Sequence, residues 1–511
     1  MGIANEGTPV RFRSPAIVSS AANTIPETQS DRAFWAIVAW ALGVRLMAAL
    51  WSDFYVDEGF SYFLERSPVG QLIRSCRVDA HPPLFYLLTA PLAWLTREPF
   101  WLRLPNVLLS VASLWFLNQL CQRVGLERRG RLAVCALQAS SYLVWSCETE
   151  FRSNALFELL NLMQVWALVE PGVWAGFPYR CAALMLPLTN LLGNITALGA
   201  AWDTRRQGIR VWVWPCLGLL LSAVWLVYSQ TGSASALRES RFRGGAGAGL
   251  DLPEAFLGLS LVLHWPWWRT VAWSPVCGRA CALLGWLLLA RGARDLWRQG
   301  RGGRWTVLAF AVPFLCLTGL GLVRGGGWFQ ARYMVPYAPF FFILIVQGCR
   351  SPGWRPACVL IPVLAAQVFT ACLFPGDSYW WNQSWQPFAQ FVGGGWHEGD
   401  KLVVYHPYSL NGFDFYYNRG RVQLQYDGPV SRIDQPPGPL WLEQLPVVPE
   451  ALGPGLAGRR GSSRVFLLLS QENDSRVRDW FSQRYDIVAY RVHEGVQSWG
   501  HCECYLLTPK R

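Results

Sequence analysis

Residues 34–62 read FWAIVAWALGVRLMAALWSDFYVDEGFSY, an apolar run that ends in a loop of aromatic and acidic residues. At a rise of about 1.5 Å per residue, a helix from Phe34 to Trp51 is long enough to cross most of the apolar layer of a bilayer. The run starts far from the N-terminus and lacks a small-residue cleavage site, so we expect a membrane anchor and not a signal peptide. The loop that follows would place Asp57 and Glu58 at the membrane surface.

Apolar runs of similar length recur along the chain, which is the pattern of a polytopic α-helical membrane protein. The spacing predicts about eleven transmembrane helices. Their expected positions are about 34–51, 104–122, 132–147, 154–170, 178–190, 191–203, 211–229, 275–291, 305–323, 334–349 and 356–373. Gly193 and Asn194 interrupt the stretch 178–203, so its two short helices could also be one broken segment.

The composition agrees with this class. Of the 511 residues, 52% are hydrophobic and 15% are charged, whereas an ordinary soluble domain carries about 25% charged residues. A large soluble enzyme does not account for repeated runs of membrane-spanning length. The net charge of +12 could indicate nucleic-acid binding. The arginines lie in short clusters between apolar runs, however, so membrane orientation explains them better, and no nucleic-acid partner is expected.

The arginine clusters predict the orientation of the chain. With the N-terminus inside, every dense cluster falls in a cytoplasmic loop, as the positive-inside rule requires. These clusters comprise Arg123, Arg128, Arg129, Arg131, Arg205, Arg206, Arg210, Arg291, Arg294, Arg298, Arg301, Arg304, Arg350 and Arg355. Residues 1–33 are then predicted to be a disordered cytoplasmic tail, and an odd number of spans places the C-terminus outside the cell's cytoplasm.

Two regions on the outer side stand out. The first outer loop runs from 52 to 103 and contains an apolar stretch, Pro83–Leu95, that is too short to span and is expected to lie in the membrane interface. Residues 374–511 are more polar and alternate short apolar strands with helical stretches. We therefore predict a small extracytoplasmic α/β domain there, behind a membrane domain at 34–373.

The first outer loop also carries the residues best suited to chemistry. Asp57 and Glu58 follow the first helix, and Asp79 and His81 precede Pro82 and Pro83 at a predicted helix start. A carboxylate near an apolar boundary is suited to taking a proton from an attacking hydroxyl. Arginine is suited to binding phosphate because its planar fork donates two hydrogen bonds at once. The outer side offers Arg152, Arg241, Arg243, Arg324 and Arg332.

The order of these motifs resembles the membrane glycosyltransferases of the GT-C fold, in particular the superfamily of the protein O-mannosyltransferases and the lipid A aminoarabinose transferase (glycosyltransferase family 39-like). Asp57-Glu58 follows helix one, and residues 81–88 read HPPLFYLL. Residues 102–105 read LRLP, and Glu150-Phe-Arg152 ends the third helix. Arg332-Tyr333, followed by two prolines, is a weaker match. Thr149 and Asn154 depart from the family's usual Gln and Tyr, which puts the role of Glu150 in doubt.

The resemblance implies a GT-C-like catalytic domain and a single inverting displacement on a polyprenyl-phosphate-linked sugar. The donor's lipid would lie in the bilayer, and the acceptor would be a lipid, a glycan or a protein on the outer face. Asp57 corresponds to the catalytic base, and Glu58 to a sugar or acceptor contact. His81, Arg152 and Arg332 correspond to residues that bind the donor phosphate or shape the acceptor site. Asp79, Glu150 and Tyr333 complete the candidate substrate-binding set.

No cofactor follows from the sequence. Metal dependence varies within the superfamily, so a divalent metal ion is compatible with the resemblance but no motif indicates one. Cys502 and Cys504 are a lone Cys-x-Cys pair without further ligands, which is a weak metal signal.

Two other functions remain open. A transporter or flippase would carry ionisable residues in mid-membrane, where the predicted spans offer mainly Glu158. A scaffold whose outer domain is the working part would tolerate loss of the Asp57 carboxylate.

Overall fold

The computed structural model describes the chain as a helical membrane part followed by a small α/β part. The described residues are 27–79, 81–169, 176–205, 209–239, 274–324, 331–350, 365, 385–397, 400–405, 409–417, 442–444, 464–470, 475–493 and 502–510. The predicted last span, 356–373, lies outside them apart from one residue. So do the predicted tail up to residue 26, Arg241 and Arg243.

The helices of the membrane part follow the predicted apolar runs. They are α1 (Glu27–Trp51), α2 (Val56–Glu65), α3 (Val69–Asp79), α4 (Leu84–Leu95), α5 (Pro99–Arg123), α6 (Arg128–Ser140), α7 (Tyr142–Thr149), α8 (Asn154–Val169), α9 (Phe177–Thr189), α10 (Gly193–Thr204), α11 (Ile209–Glu239), α12 (Ser274–Arg298), α13 (Arg301–Arg324) and α14 (Ala338–Cys349). A 3-10 helix, Ala331–Tyr337, leads into α14.

Among the described residues, five helical stretches are long and apolar enough to cross a membrane. They are Arg32–Trp51, Pro99–Arg123, Ile209–Ser229, Arg301–Gly319 and Arg332–Cys349. The chain is therefore an integral membrane protein. The short helix predicted in the first outer loop is present as α4.

Breaks in the local backbone divide two stretches of the membrane part. The run 132–147 is split into α6 and α7 because Ser141 takes an extended conformation, with ψ 117°, and its side chain accepts a hydrogen bond from the Val144 amide. The stretch 178–203 is split into α9 and α10 at Asn190, whose side chain accepts a hydrogen bond from the Leu192 amide. The two helices agree with those predicted at 178–190 and 191–203, and the break between them comes just before the Gly193-Asn194 pair.

The C-terminal part contains helices α15 (Gln386–Gly395), α16 (Ser409–Tyr417) and α17 (Ser475–Arg484) and a five-stranded mixed sheet. Its strands are β1 (Lys401–Tyr405), β2 (Leu442–Gln444), β3 (Val465–Ser470), β4 (Tyr485–His493) and β5 (Cys502–Pro509). The order is β2-β1-β3-β5-β4. Strand β1 is parallel to β2 and β3, and β5 is antiparallel to its neighbours β3 and β4. Short strands and helices alternate along this part of the chain, as the sequence predicted.

Both faces of this sheet are covered near β3, which explains why that strand is apolar from Val465 to Leu469. On one face, Phe466 stacks on Trp396 after α15, at a ring distance of 5.7 Å. On the other face, Val465, Leu467 and Leu469 pack with Phe481 of α17. The sheet thus has its own core, as a domain of this size requires.

Candidate active site

The site is built around the turn that joins α1 to α2. Tyr55 is extended, with φ −97° and ψ 178°, and α2 begins at the next residue. Asp57 and Glu58 therefore lie in the first turn of a helix, where the exposed amides and the helix dipole stabilise negative charge. The Glu58 side chain also turns back and accepts a hydrogen bond from the Tyr55 amide at 3.2 Å, as a glutamate in this position commonly does.

Glu58 is completely buried, and both its oxygens are engaged. The Arg103 guanidinium of α5 donates to Oε1 at 2.7 Å and to Oε2 at 2.5 Å. The Phe151 amide donates to Oε1 at 2.8 Å. A paired and fully hydrogen-bonded carboxylate of this kind holds three segments together: the start of α2, helix α5 and the turn after α7.

Asp57 points into a different environment. It is partly exposed and forms an ion pair with Arg332, whose Nη1 atom lies 3.1 Å from Asp57 Oδ2. Arg332 comes from the 3-10 helix before α14, 275 residues further along the chain. The guanidinium also lies 5.4 Å from the centre of the Tyr333 ring, within cation–π range. The predicted Arg332-Tyr333 pair thus meets the predicted base.

Glu150 lies in the turn between α7 and α8 and is 7% exposed. Burial raises the pKa of this carboxyl to about 8, and the charge of Glu58 adds to the shift. A hydrogen bond from Tyr55 and the charge of Arg332 act in the opposite direction. Burial raises the pKa of the Tyr55 phenol as well, so Tyr55 stays protonated and acts as the donor. Glu150 therefore holds its proton at neutral pH.

Arg152 continues the same turn. Its Nη1 atom lies 3.4 Å from the Ser61 hydroxyl oxygen of α2 and 3.3 Å from the Tyr86 hydroxyl oxygen of α4. The backbone around it is held by Asn106, whose amide nitrogen donates to the carbonyl oxygens of Glu150 and Arg152, the latter at 2.8 Å. Arg152 and Arg332 thus bring positive charge to the acidic start of α2 from two separate segments.

The structure brings Asp57, Glu58, Glu150, Arg152 and Arg332 together near helix ends, with Tyr333 beside Arg332. His81 lies partly buried in the short segment before α4. Asp79 is the last residue of α3, and its side chain is outside the described part of the chain. From the HPPLFYLL motif, it is Tyr86 that contacts Arg152. A small pocket adjoins the site and is lined by Ala48, Ser52, Tyr55, Glu58, Arg103, Trp145, Ser146, Thr149 and Glu150.

A buried ionic network near the site, between α1 and α7, was not predicted from the sequence. Arg45 of α1 and Glu148 of α7 are both fully buried and form an ion pair at 2.5 Å. Gln138 of α6 donates to Glu148 at 3.0 Å and to Glu158 of α8 at 2.8 Å, and Ser110 of α5 donates to the Glu148 carboxylate. The network joins the five helices α1, α5, α6, α7 and α8. Its central carboxylate, Glu148, lies two residues before Glu150 in the sequence. The sequence signals for it were the lone arginine Arg45 and the acid Glu158 inside apolar runs.

Within the described residues, no group of three or more His, Cys, Asp or Glu side chains is arranged to hold a metal ion. Cys502 and Cys504 are buried in β5, and burial raises the pKa of both thiols. They therefore behave as small apolar residues in the sheet.

Comparison with known proteins gave no match to a family model and none to a curated protein. Among solved structures, the chain is similar to ArnT from Cupriavidus metallidurans bound to undecaprenyl phosphate. The identity is 13% and the TM-score 0.48, over 93% of this chain and 97% of that chain. The apo state of the same protein gives 12% identity and a TM-score of 0.48, over 94% and 98%.

A third solved structure is the arabinofuranosyltransferase AftD from Mycobacteria. It is 15% identical with a TM-score of 0.42, and the similarity covers 94% of this chain but only 40% of that chain. The motif resemblance is thus accompanied by a distant similarity to solved structures of ArnT and AftD.

Proposed function

We propose that the chain transfers a sugar from a polyprenyl-phosphate donor to an acceptor hydroxyl at the outer face of the membrane. The observation that carries this proposal is the meeting of a partly exposed carboxylate, Asp57, with the guanidinium of Arg332 at 3.1 Å. Arg152 lies on the neighbouring turn. A transferase of this kind needs a base and a cationic phosphate site close together, and both are placed at the ends of apolar helices.

In the proposed reaction, Asp57 accepts the proton of the acceptor hydroxyl while that oxygen attacks the anomeric carbon. The new C–O bond forms as the bond between the anomeric carbon and the phosphate oxygen breaks. The leaving group is the polyprenyl phosphate, and Arg332 and Arg152 would stabilise its charge. Attack opposite to the leaving group inverts the anomeric centre.

The other predicted residues take more specific roles. Because Glu58 is buried and saturated by hydrogen bonds, we assign it to holding the first turn of α2 rather than to contacting the sugar. Glu150, protonated at neutral pH, would donate a hydrogen bond to a substrate oxygen in the adjoining pocket. His81, Asp79 and Tyr333 remain candidates for substrate binding. Eleven spans, a cytoplasmic N-terminus and an extracytoplasmic C-terminal domain complete the proposal.

A transporter is the second candidate because ionisable side chains are buried among the membrane helices: Arg45, Glu148 and Glu158. Such groups often mark a translocation path. Here the Arg45 guanidinium also donates to three main-chain carbonyl oxygens, those of Ala41, Ala139 and Gln138. A guanidinium fixed in this way indicates a structural role, which favours the transferase.

The test is release of free polyprenyl phosphate by the purified protein in lipid nanodiscs. A panel of polyprenyl-phosphate sugars is supplied with a mixed acceptor extract. Asp57→Asn is compared with the wild type, and Asp295→Asn, in an exposed ion pair with Arg294, serves as the matched control. We expect turnover of one donor by the wild type and the control, and a loss of at least about 100-fold in Asp57→Asn.

Equal turnover in Asp57→Asn would remove Asp57 from its role. Movement of a lipid-linked sugar across a liposome membrane without release of polyprenyl phosphate would support the transporter instead.

A further inference from the structure

Helix α16 of the C-terminal domain lies directly against the turn that carries the proposed base. The Phe415 ring stacks on Phe54 with a centroid distance of 4.2 Å and an interplanar angle of 27°. The same ring meets Tyr62 of α2 edge-on at 5.1 Å. Phe54 and Tyr62 are completely buried. The C-terminal domain therefore contributes side chains to the packing around the start of α2.

The next residue of α16 makes a polar contact with the same turn. The Tyr416 hydroxyl oxygen accepts a hydrogen bond from the Phe54 amide at 2.6 Å. The same hydroxyl lies 3.5 Å from Oδ1 of Asp53, to which it donates. Burial raises the pKa of Tyr416, and the charge of Asp53 adds to this effect, so the hydroxyl keeps the proton that it donates.

The same turn also makes contacts with Arg103 of the membrane domain. Arg103 donates to the carbonyl oxygens of Ser52 at 2.7 Å and Asp53 at 2.8 Å, in addition to its pair with Glu58. The Arg103 guanidinium also lies 5.4 Å from the centre of the Phe54 ring. The residues just before Asp57 are therefore held by Arg103 of the membrane domain and by Phe415 and Tyr416 of α16.

Helix α16 is itself closely packed within the C-terminal domain. Gly412 packs so closely on the buried Trp385 that an added Cβ would overlap the indole ring. Phe413 and Asp414 are 1% exposed. Tyr416 therefore projects from a packed element, and its position is set by the C-terminal domain.

We propose that Tyr416 is a positioning residue that aligns the base Asp57 through the hydrogen bond to the Phe54 amide. This inference rests on the proposed function and assigns the C-terminal domain a part in the transferase site. The base must lie within about 0.5 Å of its productive position for efficient proton transfer. A turn held only by Arg103 would place Asp57 less accurately, while Arg152 of the proposed phosphate site would keep its own contacts with Ser61 and Tyr86.

The first experiment compares Tyr416→Phe with Tyr417→Phe. Tyr417 is the adjacent tyrosine of the same helix, and its ring stacks on Phe413, so its variant controls for loss of a phenol from α16. We expect Tyr416→Phe to lower kcat about tenfold, the effect of one well-placed hydrogen bond, with the KM for the donor unchanged. Tyr417→Phe should keep wild-type kcat. An unchanged kcat in Tyr416→Phe would overturn the proposal.

The second readout does not depend on turnover. Hydrogen–deuterium exchange of the Phe54 amide should be slow in the wild type and in Tyr417→Phe, and faster in Tyr416→Phe, because only that variant removes the acceptor of this N–H. Unchanged exchange in Tyr416→Phe would show that the hydroxyl does not hold the turn and would overturn the proposal.

The two readouts separate this inference from the proposed function. If the wild type releases polyprenyl phosphate from no donor, the proposed function fails, and exchange alone reports whether Tyr416 anchors the turn. If exchange rises in Tyr416→Phe while kcat stays at the wild-type value, the contact exists but does not position the base, and the inference is wrong.

Discussion

Glu150 is a carboxyl group that its surroundings keep protonated at neutral pH, and this has a consequence for stability. Its pKa is about 8 in the folded chain, raised by burial above the ordinary value of 4.5. Below pH 4.5 both the folded and the unfolded chain hold the proton, so its contribution to stability is fully present. Between pH 4.5 and 8 only the folded chain holds it. The free energy of unfolding therefore falls as the pH rises, by up to about 1.4 kcal/mol per pH unit from this group.

Replacing Glu150 by Gln removes this titration while keeping the shape of the side chain. We expect the difference in melting temperature between Glu150→Gln and the wild type to grow in favour of the variant from pH 5 to pH 8, and then to level off. Thermal unfolding in nanodiscs at several pH values measures it. A difference that stays constant across this range would show that Glu150 is already ionised in the folded chain.

At the scale of single residues, the sequence motifs included several of the side chains that meet but did not predict what each one contacts. Asp57, Arg152 and Arg332 could be grouped because they end up on the same side of the membrane in the predicted topology. The partner of Glu58 could not be foreseen. Arg103 belongs to a quoted motif, but its ion pair with Glu58 depends on how α5 rotates against α2. The ion pair of Arg45 and Glu148 could not be predicted either, because the two residues lie 103 residues apart and meet only through the packing of α1 on α7.

Among the elements, the buried network that joins α1, α5, α6, α7 and α8 should matter more for stability than any surface pair. Glu148→Gln would leave the Arg45 guanidinium buried without its counter-ion, and we expect a loss of about 3–5 kcal/mol. Glu127→Gln is the control, because Glu127 is 76% exposed and its pair with Arg350 should contribute about 0–1 kcal/mol. Unfolding in mixed detergent measures both. Similar losses in the two variants would contradict a structural role for the network.

Close packing of α12 on α14 depends on two glycines. An added Cβ at Gly292 would overlap the Leu344 carbonyl oxygen, and one at Gly348 would overlap the Leu288 carbonyl oxygen. Small residues let membrane helices approach in this way. We expect Gly348→Ala to push the helices apart and lower the melting temperature by several degrees, since overpacking costs about 1–3 kcal/mol.

Gly319→Ala in α13 provides the matched control for that variant, because among the described residues no atom beyond the adjacent backbone of its own helix lies within 4 Å of the position that its Cβ would occupy. This variant should melt at the wild-type temperature or slightly above it, since alanine favours the helix. If Gly348→Ala melts like Gly319→Ala, α12 and α14 do not pack as closely in the membrane as in the structure.

For the whole molecule, the contacts of Phe415 and Tyr416 with the first outer loop require that this loop and the C-terminal domain lie on the same side of the membrane. The arginine clusters predict that both lie outside and that the turn between α12 and α13 lies inside. Ser482 of α17 and Gln299 of that turn are both exposed, so each can be replaced by cysteine and treated with a membrane-impermeant maleimide in right-side-out vesicles.

We expect Ser482→Cys to label before lysis and Gln299→Cys only after detergent is added, each measured above the background of the parent chain. Cys502 and Cys504 should add little background, because burial raises the pKa of their thiols and the thiolate is the reactive form. Labelling in the reverse order would place the acidic turn of α2 in the cytoplasm, where the proposed outer-face transfer could not occur. Labelling of both positions before lysis would mean that the helices do not cross the membrane as predicted. The predicted number and positions of the spans would then be wrong.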